Sequence, residues 1–317
     1  MRRHYDKAVQ IYVAGINGMV GSAIAIEARA QSHQVLGKSS SELDFTNRKE
    51  VFQELIRTKP DCLIIAAAKV GGIGANSSMP VDFLSINLQI QTNLIDAAHT
   101  AGIERVLFLG SSCIYPRLAW QPINESALLT GELEPTNEPY AIAKIAGLKL
   151  IEAYRVQFGH RWISAMPTNL YGPRDNFNLE TAHVLPALIH RIHNAKISGS
   201  PEVTIWGDGT PLREFLHVED LARALLMLLS DYDGSAAINV GSGEEISIAK
   251  LAELVSNVVG FTGDIALNLD RPNGVPRKLL DCERISRLGW GPRISLENGI
   301  SSTYDWFLRN HPKEVYL

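Results

Sequence analysis

The sequence predicts an α/β protein with a doubly wound parallel sheet, followed by a smaller C-terminal α/β domain. Apolar segments of strand length alternate with segments of helical periodicity over the first 172 residues. The strand segments are apolar throughout, which is typical of a parallel sheet with helices on both faces. A glycine-rich turn, VAGINGMVGSA, stands between the first strand and the first helix. Together these observations predict the Rossmann-type arrangement.

Each element of the first region follows from its own pattern. In chain order we predict the strand AVQIYVAG, the helix MVGSAIAIEARA, the strand CLIIAAA, a helix over about 80–100, the strand RVLFLGS, the helix PYAIAKIAGLKLIEAYRVQFG and the strand-like segment WISAMPTNLYG. Ligands of such sheets bind beyond the carboxyl ends of the strands, so motifs at those ends are expected to share one crevice.

After Gly172 the chain changes to turns, short strands and helices. VTIWGDGTPLREFLHVEDLARALLMLL mixes strands with a helix, SIAKLAELVSNVVG is an amphipathic helix, and a last helix ends near WFLRN. We predict a first domain over 1–172 plus about 217–240, and a second over about 173–216 plus 241–317. The segments HVEDLARALLMLL and AAINVGS are the ones expected to return to the first domain.

The composition limits the classes of partner. Thirty basic and 34 acidic residues give a net charge of −4, which argues against a general affinity for nucleic acid or for an anionic membrane. No segment reaches the ~18 apolar residues of a membrane-spanning helix. Three cysteines without a CxxC pattern predict a reduced, cytoplasmic protein and no metal site.

The glycine-rich turn predicts a dinucleotide site. Gly15, Gly18 and Gly21 allow a tight turn, close approach of a pyrophosphate and close packing of the helix, whose N-terminus favours the anion. In the stretch QVLGKSSSELDF, where NAD-binding proteins commonly end a second strand with a carboxylate, Lys38 stands instead. A lysine among hydroxyl groups suits a 2′-phosphate and favours NADP(H); a solvated surface charge is the alternative reading of Lys38.

A second motif predicts proton transfer. Tyr140 and Lys144 are four residues apart and therefore share one face of a helix. A nearby ammonium lowers the pKa of a phenol, so that it exchanges a proton near neutral pH. Ser111 ends the strand RVLFLGS and is expected to bind the same substrate oxygen; Ser112 is a rival for this role. The alternative is a tyrosine that covers the core beside a surface lysine.

The combination of glycine turn, strand-end serine and Tyr-x-x-x-Lys resembles the extended short-chain dehydrogenase/reductases. The strings GSSCIYP, LEPTNEPYAIAKIAG, MPTNLYGP, WGDGTPLREFLHVEDLA and PRKLLD are similar to the branch that epimerises and reduces GDP-4-keto-6-deoxy-D-mannose. The resemblance implies 3,5-epimerisation of this GDP-sugar, followed by NADPH-dependent reduction of its C4 ketone. Relatives pair as homodimers through two helices, which implies a homodimer here; packing of these helices within the chain is the alternative.

The resemblance also assigns an epimerisation pair, Cys113 and His183. A thiolate is a suitable base for hydrogens that a neighbouring ketone acidifies, and an acid on the opposite face inverts the centre. Without the resemblance, Cys113 reads as a small buried side chain and His183 as a helix cap or surface residue. Ser111 and Tyr140 would stabilise the enolate, and Lys144 would tune Tyr140.

The remaining site residues are carried over by motif. The implied cofactor contacts are Gly15, Asn17, Gly18, Met19, Val20, Gly21, Lys38, Ser40, Leu109, Gly110, Ser111, Ser112, Lys144, Pro167, Thr168, Asn169, Leu170 and His183. The implied substrate contacts are Asn169, Arg191, Trp206, Arg213, Asn273 and Lys278. Asn17 and the Lys38–Ser40 stretch stand where the family carries arginines, and Asn273 where it carries an aspartate, so NADP preference and GDP binding are expected to differ in detail.

Three rival functions remain open. A sugar-nucleotide 4-epimerase of the same branch would need neither Cys113 nor His183. An enzyme of the GDP-colitose type would epimerise C5 alone and share most of these motifs. A cofactor-binding scaffold or redox sensor would keep the glycine turn but would not need Ser111, Tyr140 and Lys144.

Overall fold

A computed structural model of the chain describes residues 8–270 and 274–311. The strands are β1 (Gln10–Ala14), β2 (Gln34–Leu36), β3 (Cys62–Ile65), β4 (Arg105–Leu109), β5 (Ile163–Pro167), β6 (Asn169–Tyr171), β7 (Glu202–Trp206), β8 (Leu212–His217), β9 (Ile238–Val240), β10 (Glu245–Ser247), β11 (Asp264–Asn268) and β12 (Arg277–Lys278). The helices are α1 (Met19–Ala30), α2 (Arg48–Thr58), α3 (Ile73–Ser78), α4 (Pro80–Ala101), α5 (Glu138–Phe158), α6 (Val184–Ser198), α7 (Val218–Asp231), α8 (Ile248–Val259), α9 (Glu283–Arg287) and α10 (Leu296–Asn310).

The largest sheet has six parallel strands in the order β2-β1-β3-β4-β5-β9. The chain runs from β1 outward to β2 and then returns to the other side of β1 to form β3. This reversal creates a crevice between the carboxyl ends of β1 and β3, where ligands of doubly wound sheets bind. The predicted fold class is confirmed.

Helices cover both faces of this sheet. Every residue of β3, β4 and β5 is buried, as the uninterrupted apolar patterns predict. Alternate side chains of these strands pack on α1 and α7 on one face, and on α2, α4 and α5 on the other. The strands therefore hold the segments that follow their carboxyl ends on a rigid base.

The strand-like segment WISAMPTNLYG is two strands rather than one. β5 ends at Pro167, and β6 pairs with β8 in a different sheet. The side chains of Thr168 and Asn169 both donate to the carbonyl oxygen of Glu214 on β8, at 3.3 and 2.7 Å. These bonds hold the chain on β8 after it leaves the six-stranded sheet.

The C-terminal region forms two smaller sheets over a third apolar cluster. β8 lies between β10 and β12 and also pairs with β6, while β7 pairs with β11. Side chains of α6, α8 and α10 pack together beneath these strands. β9 is an edge strand of the six-stranded sheet, and α7 packs on this sheet. Leu280, Ile285 and Trp290 from the tail also pack on it. The two-domain division stays a prediction.

Over residues 8–270 and 274–311, none of the helices is both long enough and apolar enough to span a lipid bilayer.

Candidate active site

The glycine turn after β1 has the shape that a pyrophosphate site needs. Gly15 adopts φ +90°, and a Cβ at Gly21 would lie 2.0 Å from the carbonyl oxygen of Gly15. Gly18 precedes α1 without any side-chain cap, so the first amide groups of the helix point beyond its N-terminus. These free donors and the absence of side chains fit a dinucleotide bound through its phosphates.

The residues predicted to contact the 2′-phosphate differ in their exposure to solvent. Asn17 and Ser40 are exposed near the carboxyl ends of β1 and β2. Lys38 is half-buried, and its Nζ lies 3.1 Å from the carboxylate of Glu54 on α2. Lys38 is thus part of an ion pair instead of being a freely solvated charge. Its contact with a phosphate stays a prediction.

Three of the predicted catalytic side chains meet at the end of β4. The hydroxyl of Ser111 lies beside the phenol of Tyr140, where it acts to lower the pKa of the phenol. The Nζ of Lys144 donates to the carbonyl oxygen of Leu109 at 2.8 Å and lies 5.9 Å from the centre of the Tyr140 ring. Ser112 is buried, so the register favours Ser111 as the hydroxyl that faces the phenol.

The acidity of Tyr140 differs from the expectation. The ring is partly exposed, yet protein atoms surround it closely enough that burial raises the pKa of the phenol above its ordinary value. The neighbouring Cys113 raises the pKa further, whereas Ser111 lowers it. Burial therefore dominates the pKa of Tyr140, and the phenol stays protonated at neutral pH.

Lys144 gives the site a pH dependence that can be tested through stability. Burial lowers its pKa from 10.5 to about 8. Between these two values the unfolded chain binds the proton and the folded chain does not, so the free energy of unfolding rises with pH in this window. We expect wild type to gain up to about 3 kcal/mol relative to Lys144→Met between pH 8 and pH 10. Urea unfolding of both proteins at several pH values measures the difference, and parallel pH curves would refute the lowered pKa of Lys144.

Cys113 lies in a 3₁₀ turn, Ser112–Ile114, that begins three residues after the end of β4. Its side chain is half-buried and faces polar groups instead of the apolar core. The side-chain amide of Asn137 donates to its Sγ at 3.2 Å, and the Nζ of Lys278 lies 3.7 Å from the same sulfur. The thiol is thus held beside the Ser111–Tyr140 pair, as its predicted role requires.

His183 precedes α6 and caps it without a side-chain hydrogen bond. The side chain is accessible to solvent, while surrounding protein atoms lower its pKa below the ordinary value by desolvation. The two observations fit a residue that lines an open cleft. Ala182, which precedes His183, packs on Gly72. Helix α3 begins directly after Gly72 and contacts the turn that carries Asn137. His183 and Cys113 therefore belong to neighbouring segments; their action as a pair stays a prediction.

Four of the six predicted GDP contacts form two pairs. The guanidinium of Arg191 stacks over the ring of Trp206, with 5.4 Å between the guanidinium carbon and the ring centre. Arg213 on β8 is the register partner of Lys278 on β12, and burial lowers the pKa of Arg213. Asn273 lies outside the described residues. A stacked ring and several cations suit a base and a diphosphate.

Two polar residues in this region were not assigned a role from the sequence. Asn137 precedes the Tyr140 helix in the string LEPTNEPYAIAK, and its position before a helix was the available signal. Glu214 is completely buried and accepts hydrogen bonds from the amides of Gly243 and Leu280. It connects β8 with the segment that follows Lys278, which places Arg213 and Lys278 side by side.

A family match decides to which group of proteins this architecture belongs. Residues 11–241 match the model of the NAD dependent epimerase/dehydratase family. The chain belongs to this family. The membership confirms the resemblance to extended short-chain dehydrogenase/reductases that the motifs indicate.

Individual members of the epimerase/dehydratase family match nearly the whole chain. GDP-L-fucose synthase 1 of Arabidopsis thaliana is 55% identical over 306 residues, which cover 96% of this chain and 95% of the relative. The GDP-L-fucose synthase of Escherichia coli strain K12 is 47% identical, over 96% of this chain and 98% of the relative. A solved GDP-L-fucose synthetase from Naegleria fowleri, bound to NADP, superposes with a TM-score of 0.89 at 28% identity, over 99% of this chain and 98% of that one.

Proposed function

We propose that this chain converts GDP-4-keto-6-deoxy-D-mannose into GDP-L-fucose by 3,5-epimerisation and NADPH-dependent reduction of the C4 ketone. The observation that carries the proposal is the thiol of Cys113 beside the Ser111–Tyr140 pair, an arrangement that a reductase without epimerisation does not need. The extensive identity to GDP-L-fucose synthases supports the same activity.

Epimerisation begins with Cys113 as base. Its thiolate removes the proton from C3 or C5, and the electron pair of the broken C–H bond moves into the C4 carbonyl to form an enolate. Ser111 and Tyr140 donate hydrogen bonds to the enolate oxygen. The protonated form of His183, which desolvation makes the minor form near neutral pH, gives a proton to the opposite face of the carbon as the carbonyl re-forms. The thiol then loses its proton to solvent and the imidazole regains one.

Reduction uses the protonated phenol of Tyr140. NADPH supplies the hydride to C4 when it is bound at the glycine turn. Tyr140 gives its proton to the C4 oxygen, and burial, which raises the pKa of the phenol, keeps that proton in place until then. Lys144, anchored on the carbonyl of Leu109, stabilises the phenolate that remains.

The proposal extends to how the GDP portion is bound, how the chain assembles and where it resides. Arg191, Trp206 and Arg213 hold the GDP portion through stacking and charge. Exposed apolar side chains on α4 and α5, Val81, Ile142 and Val156, suit the pairing of two copies as a homodimer. The reduced thiols suit the cytoplasm.

Incubation of the purified protein with GDP-4-keto-6-deoxy-D-mannose and NADPH tests the function. We expect one NADPH to be consumed per sugar, and the NMR spectrum of the product to show inverted configuration at both C3 and C5. Inversion at C5 alone would indicate the colitose type of activity. Turnover without NADPH consumption would indicate a 4-epimerase, and NADPH binding without turnover a scaffold.

A further inference from the structure

We propose that Lys278 and Asn137 hold the sulfur of Cys113 as a thiolate, so that the base is already ionised before the sugar arrives. This inference deepens the proposed epimerisation and rests on it for its functional meaning. It assigns Lys278 a positioning role at the sulfur, in place of the GDP contact that its motif implies.

The placement of Lys278 is the first observation. Its Nζ lies 3.7 Å from Sγ, although the two residues are 165 positions apart in the chain. β12 pairs with β8 in parallel register, and the following Leu280 donates its amide to the buried Glu214 at 3.0 Å. The backbone around Lys278 is therefore held in place by β8 and Glu214. An ammonium has three N–H donors and no acceptor, so its favourable partner is an anionic sulfur.

Asn137 supplies the second, independent observation. It occupies the N-cap position of α5. An asparagine side chain at this position normally accepts a hydrogen bond from a backbone amide of the first turn, but Asn137 makes no such bond. Its Nδ2 donates instead to Sγ at 3.2 Å, and its Oδ1 is buried without a hydrogen-bond partner among the described residues. The side chain thus forgoes two ordinary interactions in favour of the sulfur, which accepts a hydrogen bond well only when it is ionised.

The surrounding charges agree with an anionic sulfur. On α5, Tyr140 is a neutral phenol and Lys144 is bound to the carbonyl of Leu109. On β8, Arg213 adds a cation beside Lys278, and Glu134, before α5, acts on Arg213. The N-terminus of α5 lies on the same side and carries partial positive charge. Cations and donors thus predominate around Cys113.

The proposal implies that Cys113 ionises before it removes the proton from the sugar. A thiolate that exists in the resting protein accepts the carbon-bound proton directly, and the neutral thiol later releases that proton to solvent. Lys278 and Asn137 act through the sulfur, so their removal is expected to change how readily Cys113 ionises more than how tightly NADPH binds.

The pH dependence of thiol alkylation tests the inference without any substrate. Iodoacetamide reacts with the thiolate, and peptide mass spectrometry separates Cys113 from Cys62 and Cys282. We expect half-maximal alkylation of wild-type Cys113 below about pH 7, against about 8.5 for an ordinary thiol. Lys278→Met should raise this midpoint by about one to two pH units and slow alkylation at neutral pH about tenfold.

Matched variants separate this effect from a general disturbance. Arg277 is adjacent on the same strand and pairs with Glu245, so Arg277→Met should leave the midpoint of Cys113 unchanged. Lys278→Arg keeps the positive charge, so its alkylation midpoint for Cys113 should stay close to the low wild-type value. Asn137→Asp places a carboxylate against the sulfur and should raise the midpoint.

A wild-type midpoint near that of an ordinary thiol would overturn the inference, and so would an unchanged midpoint in Lys278→Met. Either result would leave the proposed function untouched, provided that the protein still makes the inverted, reduced sugar. Conversely, a low midpoint that rises in Lys278→Met, in a protein that inverts neither carbon, would support the thiolate and refute the epimerase.

Discussion

Cys113→Ser is expected to slow deuterium incorporation at C3 and C5 of GDP-4-keto-6-deoxy-D-mannose by a factor of about 10²–10⁴, because the variant lacks the general base. A serine hydroxyl is nearly isosteric but far less acidic than a thiol, so it does not provide an anion near neutral pH. The measurement is NMR of the sugar after incubation in heavy water without NADPH. Under these conditions reduction cannot remove the ketone, and the exchange reports proton abstraction alone.

Two controls make this result specific. NADPH should bind the variant as tightly as wild type, because Cys113 is not among the implied cofactor contacts and serine has nearly the same size. Cys282→Ser replaces another half-buried cysteine, whose pKa burial raises, and it should exchange at the wild-type rate. If Cys113→Ser exchanges as fast as Cys282→Ser, another residue is the base.

The sequence predicts the parts of this site that depend on neighbouring residues. The glycine turn, the helix that follows it and the spacing of Tyr140 and Lys144 are local patterns, and the structure contains them as expected. The crevice follows as well, since the strand order of a parallel sheet restricts where its carboxyl ends meet.

Features that depend on distant residues could not be predicted in the same way. The contact of Lys278 with Cys113 joins positions 165 residues apart, and the PRKLLD string indicates a cation without indicating its partner. Lys38 suggests a phosphate contact by composition, but a buried carboxylate on α2 lies beside its ammonium. The break in WISAMPTNLYG depends on a carbonyl of β8, which no pattern within the segment reveals.

The pKa of Tyr140 also depends on distant residues and could not be predicted from the local sequence. The spacing to Lys144 predicts a lowered pKa, because a cation stabilises a phenolate. Burial acts in the opposite direction and dominates, and the degree of burial depends on side chains such as Phe83, whose ring packs edge-on against the phenol with 6.4 Å between centres. A phenol that retains its proton is the form that reduction of a ketone requires.

Tyr140→Phe should therefore separate the two halves of the reaction. Loss of the hydroxyl removes the proton donor to the C4 oxygen, and we expect reduction to slow by about 10²–10⁴-fold. Exchange at C3 and C5 should fall much less, because Cys113 is intact and Ser111 still donates to the enolate oxygen. Single-turnover oxidation of NADPH measures the first quantity, and deuterium incorporation without NADPH measures the second.

The phenylalanine keeps the ring that packs on Phe83 and faces Lys144, so the variant is expected to fold and to bind NADPH. Tyr154→Phe is the matched control, since Tyr154 lies on the same helix and its hydroxyl bonds to Asp96 away from the site. Equal slowing of exchange and reduction would show that the hydrogen bond of Tyr140 to the enolate oxygen matters as much as its proton transfer to the C4 oxygen. Unequal losses would show that the phenol acts chiefly as the acid of reduction, whereas reduction at the rate of Tyr154→Phe would transfer that role to another donor.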